Sequence, residues 1–386
     1  MYLIDYPFVS DFLVNTIKEH HYKIVATKAA QELIADDTLN WISEEEAIQA
    51  IYNDPHISLY SNSENALAWL GQHLDEHAIL LPINVFKDKF KFRMLIKHLF
   101  PDFYFEKVRL EDIQELSVAQ FTFPFVIKPS IGFFSIGVHI IENEADWEKA
   151  KAELKKEKLE SIFPENVLNT AHFIIEEFIE GEEYAIDYYH NEKGEVVLLN
   201  VMYHLFSSGK DTSDRVYFTS KEIIQKHKVA IENFLTVIGN ELELKNFPAH
   251  AEIRIDKEGK ITPIEINPLR FGGWCTTGDL FGVTLGFNSS LSYFEKRKPN
   301  WDVLFKGKED KLFSLVVLDN NSGIPSSEIK AFDYSSLAND FEHPSLIRKL
   351  DIQKYPVFGF VFAETQKQNK KELNDILESN LRKYIN

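Results

Sequence analysis

The chain has 386 residues, 44% of them hydrophobic, with a formal net charge of −18 and one cysteine. That length exceeds one ordinary core and implies two or three domains, and the acidic balance argues against nucleic acid or anionic membrane as a partner, since both need basic surface. Cys275 alone excludes an internal disulfide framework and fits a reducing cytoplasm; no apolar run approaches the ~20 residues of a membrane helix, and MYLIDYPFVSDF lacks the basic start of a signal peptide.

Short apolar runs at Tyr2–Ile4, Lys23–Ala26, Ile57–Tyr60 and Ala78–Pro82 alternate with helical stretches at 43–53 and 64–74, which predicts an α/β domain with a small sheet ending at Ile79–Pro82. Phe92, Leu95, Ile96 and Leu99 recur at helical spacing between Asp88 and Phe100, and Pro101 stops that helix. FPFVIKP and VHII read as two strands joined by the loop SIGFFSIG, followed by a charged helix over 144–160. Further strands are expected near 172–178, 183–190, 195–206, 249–256, 261–267, 312–318 and 356–363, with a last helix near 370–384.

The stretch 249–267 carries the most chemistry. Alternation in AHAEIRID puts His250, Glu252 and Arg254 on one face and Ala249, Ala251 and Ile253 on the other. Asp256-Lys257-Glu258-Gly259 reads as a tight turn into ITPIEINP, so the two runs form an antiparallel hairpin. With a four-residue turn, Glu252, Glu265 and Asn267 share one face at about 5–8 Å separation. Two carboxylates that close repel unless one is protonated or a cation lies between them. Two carboxylates and an amide oxygen are hard donors that favour Mg²⁺, an ion that normally completes its shell with phosphate and water. The alternative is ordinary pairing of Glu252 with Arg254 or Arg270, leaving Glu265 as a solvated edge residue.

A metal–nucleotide site needs cations and backbone donors elsewhere. Lys128 ends an apolar strand, and the small residues Ser130, Gly132, Ser135 and Gly137 after it let backbone N–H groups approach phosphate. Lys89 opens a helix, and IIEEFIEGEEY (174–184) offers backbone groups for a purine edge and Glu183 for ribose hydroxyls. An ordinary hairpin, a solvated lysine and a plain acidic turn are the structural alternatives. Arg270 has a planar fork suited to a carboxylate or phosphate, or to a structural pair with a nearby Glu. Lys210 and Arg215 in the polar stretch SSGKDTSDR could reach a phosphate or lie in a surface turn. Cys275 reads as a small buried hydrophobe.

In this order the motifs resemble the ATP-grasp superfamily. The matching stretches are Asp88-Lys89, FVIKPSIGFFSIGV (125–138), IIEEFIEGEEY, AHAEIRID and IEINPLRFGG (264–273), together about half the chain. The resemblance implies an α/β (α+β) fold of three domains, 1–85, 86–180 with a lid sheet from about 120, and 181–386, with ATP between two antiparallel sheets. It also implies that Lys89 and Lys128 contact phosphates under a Ser130–Gly137 lid, that the Glu176 carbonyl and the Ile179 N–H meet the adenine, and that Glu177 belongs to the same cofactor-binding set. Glu183 would bind ribose, and Glu252, Glu265 and Asn267 would hold one or two Mg²⁺ ions, with Mn²⁺ as a substitute. Arg270 follows an inserted Leu269, giving N-P-L-R where many members read N-P-R, and His250 stands where some amino-acid ligases of the family carry arginine. The implied activity is an ATP-dependent carboxylate–amine ligase working through an acyl phosphate, with His250, Arg270, Lys210 and Arg215 as candidate catalytic groups. Small carboxylates and amines, amino acids or peptides by default, are the expected substrates, and a homodimer is common in the family. The alternatives are a bicarbonate-using carboxylase relative and a non-catalytic nucleotide binder.

Overall fold

The computed structural model describes residues 1–132, 137–155, 172–209 and 211–386. The chain divides into two compact units, one comprising Met1–Ile83, Glu182–Ser207 and Asp214–Asn386, the other Asn84–Gly181 and Ser208–Ser213.

The larger unit begins with a four-stranded parallel sheet of two-residue strands in the order Trp41–Ile42, Ile24–Val25, Tyr2–Leu3, Tyr60–Ser61. Helices Asp11–Glu19, Lys28–Leu33 and Glu44–Asn53 connect the strands. Each starts at a hydroxyl that accepts a backbone N–H, and Ser43 with Glu46 forms a full capping box. The run Ile79–Pro82 is not the strand its apolar character predicts but the start of helix Leu80–Lys87. Pro82 falls in its first turn, where a missing N–H costs no intrahelical bond.

The same unit holds an antiparallel sheet with nine strands among the described residues. Its order is Ile261–Pro268, Phe247–Ile255, Glu182–His190, Met202–Leu205, Val216–Thr219, Lys311–Asp319, Val357–Gln366, Pro344–Lys349, with Val196–Leu198 paired to Glu182–His190. The run expected as one strand over 195–206 is two. Leu199 and Asn200 leave the ladder, and both donate backbone N–H groups to the Asp187 carbonyl. Helix Lys221–Asn240, absent from the sequence reading, buries Ile224, His227, Ile231, Leu235 and Ile238 along one stripe. The last helix is shorter than expected, Lys370–Glu378.

The smaller unit is built on an antiparallel sheet ordered Phe105–Arg109, His172–Glu177, Phe125–Pro129, His139–Ile141. Helix Glu144–Glu153 buries Trp147 and Ala150 in a core with Phe125, Ile127, Phe173 and Ile175. The expected continuation of that helix past 155 lies outside the described residues.

Gly359 has φ +144°, and a Cβ there would lie 2.0 Å from the Arg348 carbonyl oxygen on the neighbouring strand. Gly359→Ala is expected to cost about 1–3 kcal/mol by forcing those strands apart, read as a lowered thermal midpoint.

Candidate functional site

In the larger unit the hairpin of Phe247–Ile255 and Ile261–Pro268 sets the site. Its register pairs His250 with Asn267 and Glu252 with Glu265, so the two carboxylates are directly opposite on one face. The other face is core: Ala249, Ala251, Ile253 and Ile266 are at most 1% exposed. The turn differs from the expected four residues. Ile255 pairs with Ile261, so five residues close it, with Gly259 at φ +83°. The register then shifts by one between Glu252 and Ile253, with Ile264 as the bulge residue. Without the bulge Ile264 would oppose Glu252, and Glu265 would point into the core.

Asn267 donates Nδ2–H to Glu265 Oε1 at 3.1 Å. His250 places Nδ1 2.6 Å from Asp187 Oδ1 and Nε2 3.8 Å from Glu252 Oε1. Loss of solvent, then the charges of Glu265, Asp214 and Glu183, push the Glu252 carboxyl well above the usual range, and Arg270 opposes the shift. Among the described residues no three His, Cys, Asp or Glu side chains are grouped to hold a metal ion. The hairpin offers instead two facing carboxylates and an amide, a donor set whose mutual repulsion a hard divalent cation would relieve. The residues present fit such an ion.

The neighbouring candidates are engaged differently. Glu183 accepts from Arg254 Nε at 3.0 Å and lies 2.8 Å from His204 Nδ1. Burial alone would raise its carboxyl, but these two partners hold it below the usual range. His204 also stacks on Tyr217 at 4.0 Å. Arg270 pairs with Glu64 at 2.9 Å and donates to the Phe271 carbonyl at 3.0 Å; the inserted Leu269 takes φ +57°. Arg215, a candidate phosphate contact, is instead buried, paired with Asp319 at 2.6 Å and donating to carbonyls at the end of helix Lys370–Glu378, among them Leu377 and Ser379. That engagement anchors the helix end and occupies the guanidinium. Lys210 lies outside the described residues. Cys275 is buried, and burial pushes its thiol up to about 11.

In the smaller unit, Lys128 Nζ lies 2.6 Å from Glu176 Oε1, and Arg93 makes a two-point contact with the same carboxylate at 2.7 and 3.2 Å. Glu176 lies in a strand flanked on both sides, opposite Phe105 and Val126. Burial would raise its carboxyl, but Arg93 and Lys128 hold it at about 2. Burial, with Arg93 and Lys89 nearby, lowers Lys128. Ser130 is buried; its Oγ donates to Asp88 Oδ1 at 2.5 Å and its carbonyl accepts the Lys89 N–H at 2.8 Å. Asp88 caps the helix Lys89–Ile96. The loop's small residues have local reasons: a Cβ at Gly132 would lie 3.1 Å from Pro129, and Gly137 takes φ +76°. Ser135 lies outside the described residues. Glu177 is exposed, its N–H bonded to the Tyr104 carbonyl at 3.1 Å, and Ile179 is buried.

Asp187, His204, Asp214 and Arg93 were not anticipated from sequence. One signal was available: Asp187 is a lone acid inside the apolar and aromatic run YAIDYYH (184–190). A buried carboxylate there requires donors from elsewhere in the chain.

Residues 121–278, which contain the hairpin and Lys128, match the model of the ATP-grasp domain. The chain therefore carries an ATP-grasp domain, the class its motif order resembles. No match was found among curated proteins. Among solved structures the chain is similar to an L-amino acid ligase from Bacillus licheniformis, with 17% identity, 100% of this chain and 97% of that one covered, and a TM-score of 0.65. It is also similar to N5-carboxyaminoimidazole synthase from Aspergillus clavatus in complex with ADP and 5-aminoimidazole ribonucleotide (12% identity, coverage 98% and 97%, TM-score 0.61). A third is biotin carboxylase from Campylobacter jejuni in its βγ-ATP complex (12% identity, coverage 95% and 87%, TM-score 0.59). At these identities the likeness shows the fold. Among the described residues no helix is long and apolar enough to cross a membrane.

Two stability measurements check the electrostatics. Against the effect of burial, the Arg93 and Lys128 charges hold the folded Glu176 carboxyl at about 2, below its ordinary 4.5. Its contribution is therefore present above pH 4.5 and lost as pH falls through 2, on the order of 3 kcal/mol. Glu176→Gln leaves Arg93 and Lys128 as buried cations without their counter-ion, at a cost of about 3–5 kcal/mol at pH 7 in urea unfolding. Glu252 has the opposite sign: its folded pKa is raised, so its ionisation destabilises the metal-free fold increasingly as pH rises from the unfolded value through the folded one. Glu252→Gln is expected to raise the metal-free midpoint at pH 8 and leave it nearly unchanged at pH 4.

Proposed function

We propose that the protein is an ATP-dependent carboxylate–amine ligase that forms an amide or peptide bond through an acyl phosphate and uses Mg²⁺. The observation that carries the reading is the direct opposition of Glu252 and Glu265 on a hairpin inside the ATP-grasp domain, with Asn267 hydrogen-bonded beside them. Glu252, Glu265 and Asn267 would hold the metal. When bound, Mg²⁺ neutralises charge on the phosphoryl oxygens.

The chain's own residues supply positioning and charge. Lys128, held by Glu176, and Lys89 at the start of its helix act on the triphosphate. Gly132 and Gly137 after Lys128 would offer backbone N–H groups to it. A carboxylate oxygen of the substrate attacks the γ-phosphorus as the bond to the β,γ-bridging oxygen breaks, releasing ADP. The amine nitrogen then attacks the acyl carbon, phosphate leaves, and the amine gives up a proton. No side chain forms a covalent intermediate. A small zwitterionic or peptide substrate is consistent with the fold likeness to the L-amino acid ligase. The lone cysteine and the acidic balance are consistent with work in the cytoplasm.

The test is release of ADP and phosphate from Mg²⁺-ATP with pooled amino acids. Turnover that needs both a carboxylate and an amine is expected, and Glu265→Ala, folded by circular dichroism, should lose on the order of a hundred-fold or more. Turnover stimulated by bicarbonate without an amine would replace this reading with the carboxylase one. Nucleotide binding with no turnover would leave only a binding protein.

A further inference from the structure

We infer that Asp187 is a positioning residue of the metal face: it fixes the His250 ring beside Glu252 and ties the strand that carries Glu252 to the turn after Glu265. The inference rests on the magnesium site of the ligase reading. Asp187 is 0% exposed at the middle of strand Glu182–His190, directly opposite His250. A carboxylate so placed must be met by donors. Oδ1 lies 2.6 Å from His250 Nδ1 and accepts the Gly272 N–H at 2.9 Å, while Oδ2 accepts Asn200 Nδ2–H at 2.6 Å. Asn200 returns the contact, its Oδ1 accepting the Asp187 N–H at 2.8 Å.

Two consequences follow from the chemistry of those atoms. An ionised carboxylate only accepts, so the hydrogen bond fixes the proton on His250 Nδ1 and orients the ring. Nε2 is thereby set 3.8 Å from Glu252 Oε1. Second, a single oxygen joins the strand of the first metal acid to the turn that follows the second. That turn is tight, since a Cβ on Gly272 would lie 2.4 Å from Thr277 Cγ2. Asp187 thus holds both arms of the acid face in place before a cation arrives, so that binding does not also have to order them. His250 is thereby assigned a positioning role in place of the catalytic one expected from sequence.

Asp187→Asn keeps the volume but turns one acceptor into a donor, so a donor faces either Asn200 or the His250–Gly272 pair. His250→Phe keeps the ring and removes the link from the other side. Mn²⁺ is titrated against each variant in the presence of ADP by electron paramagnetic resonance, with ADP affinity in the absence of metal as control. Both variants should bind Mn²⁺ about 10–100-fold more weakly with metal-free ADP affinity unchanged, and KM for Mg²⁺ should rise more than kcat falls. Wild-type Mn²⁺ affinity in either variant overturns the inference, and so does an equal loss of metal-free ADP affinity, which would mark a general distortion. Should Asp187→Asn fail to fold, His250→Phe decides alone by the same criteria. A wild-type protein that holds Mn²⁺ no better than Glu265→Ala overturns the magnesium reading itself.

Discussion

Two glutamates facing each other across a β-ladder are the constraint around which the hairpin is arranged. Cross-strand like charges are unfavourable in an ordinary sheet, yet here the chain gives up one ladder position at Ile264 to bring Glu252 and Glu265 level. The gain is on the other face, where Ala249, Ala251, Ile253, Pro263 and Ile266 stay in the core. A face whose acids repel and whose opposite side is firmly packed keeps its oxygen donors close together. Stability is lowered locally in exchange for a donor set held in position, the pattern expected of a functional site.

The smaller unit handles charge in the opposite way. Glu176 is surrounded by Lys128 and Arg93, and its carboxylate stays ionised through nearly the whole acid range. One anion between two cations leaves a net positive charge in a buried strand region. Ser130 and Asp88 tie the loop after Lys128 to the helix that begins with Lys89. The two lysines are therefore connected through short polar contacts rather than held independently.

Much of this was legible in the residues. The alternation in AHAEIRID and IEINP set the faces of the hairpin, and an acid and an amide two apart at a strand end have few structural uses. Pairing to distant segments was not legible. Asp187 meets Asn200 across a short connection but His250 and Gly272 from far along the chain, and Arg215 finds Asp319 and a helix end more than a hundred residues away. A local pattern specifies a face, not the partner that covers it. The Ile79–Pro82 run misled because four apolar residues fit a strand or a helix equally. The helix Lys221–Asn240 carries a helical stripe, Ile224, Ile231, Leu235 and Ile238, that was not picked out from the sequence.

The bulge has a consequence for how the hairpin tolerates changes in length. The chain keeps something like a reading frame along the two strands, in which adding or losing one residue swaps inside for outside. Ile264 is the position that absorbs the extra residue of the 256–260 turn, so deleting it would leave both halves in phase. Removing Ile266 instead, two places along, would put the acids out of phase with the core. Divergent sequences of this hairpin should therefore vary in the turn and at the bulge together, and hardly at all between Glu265 and Asn267.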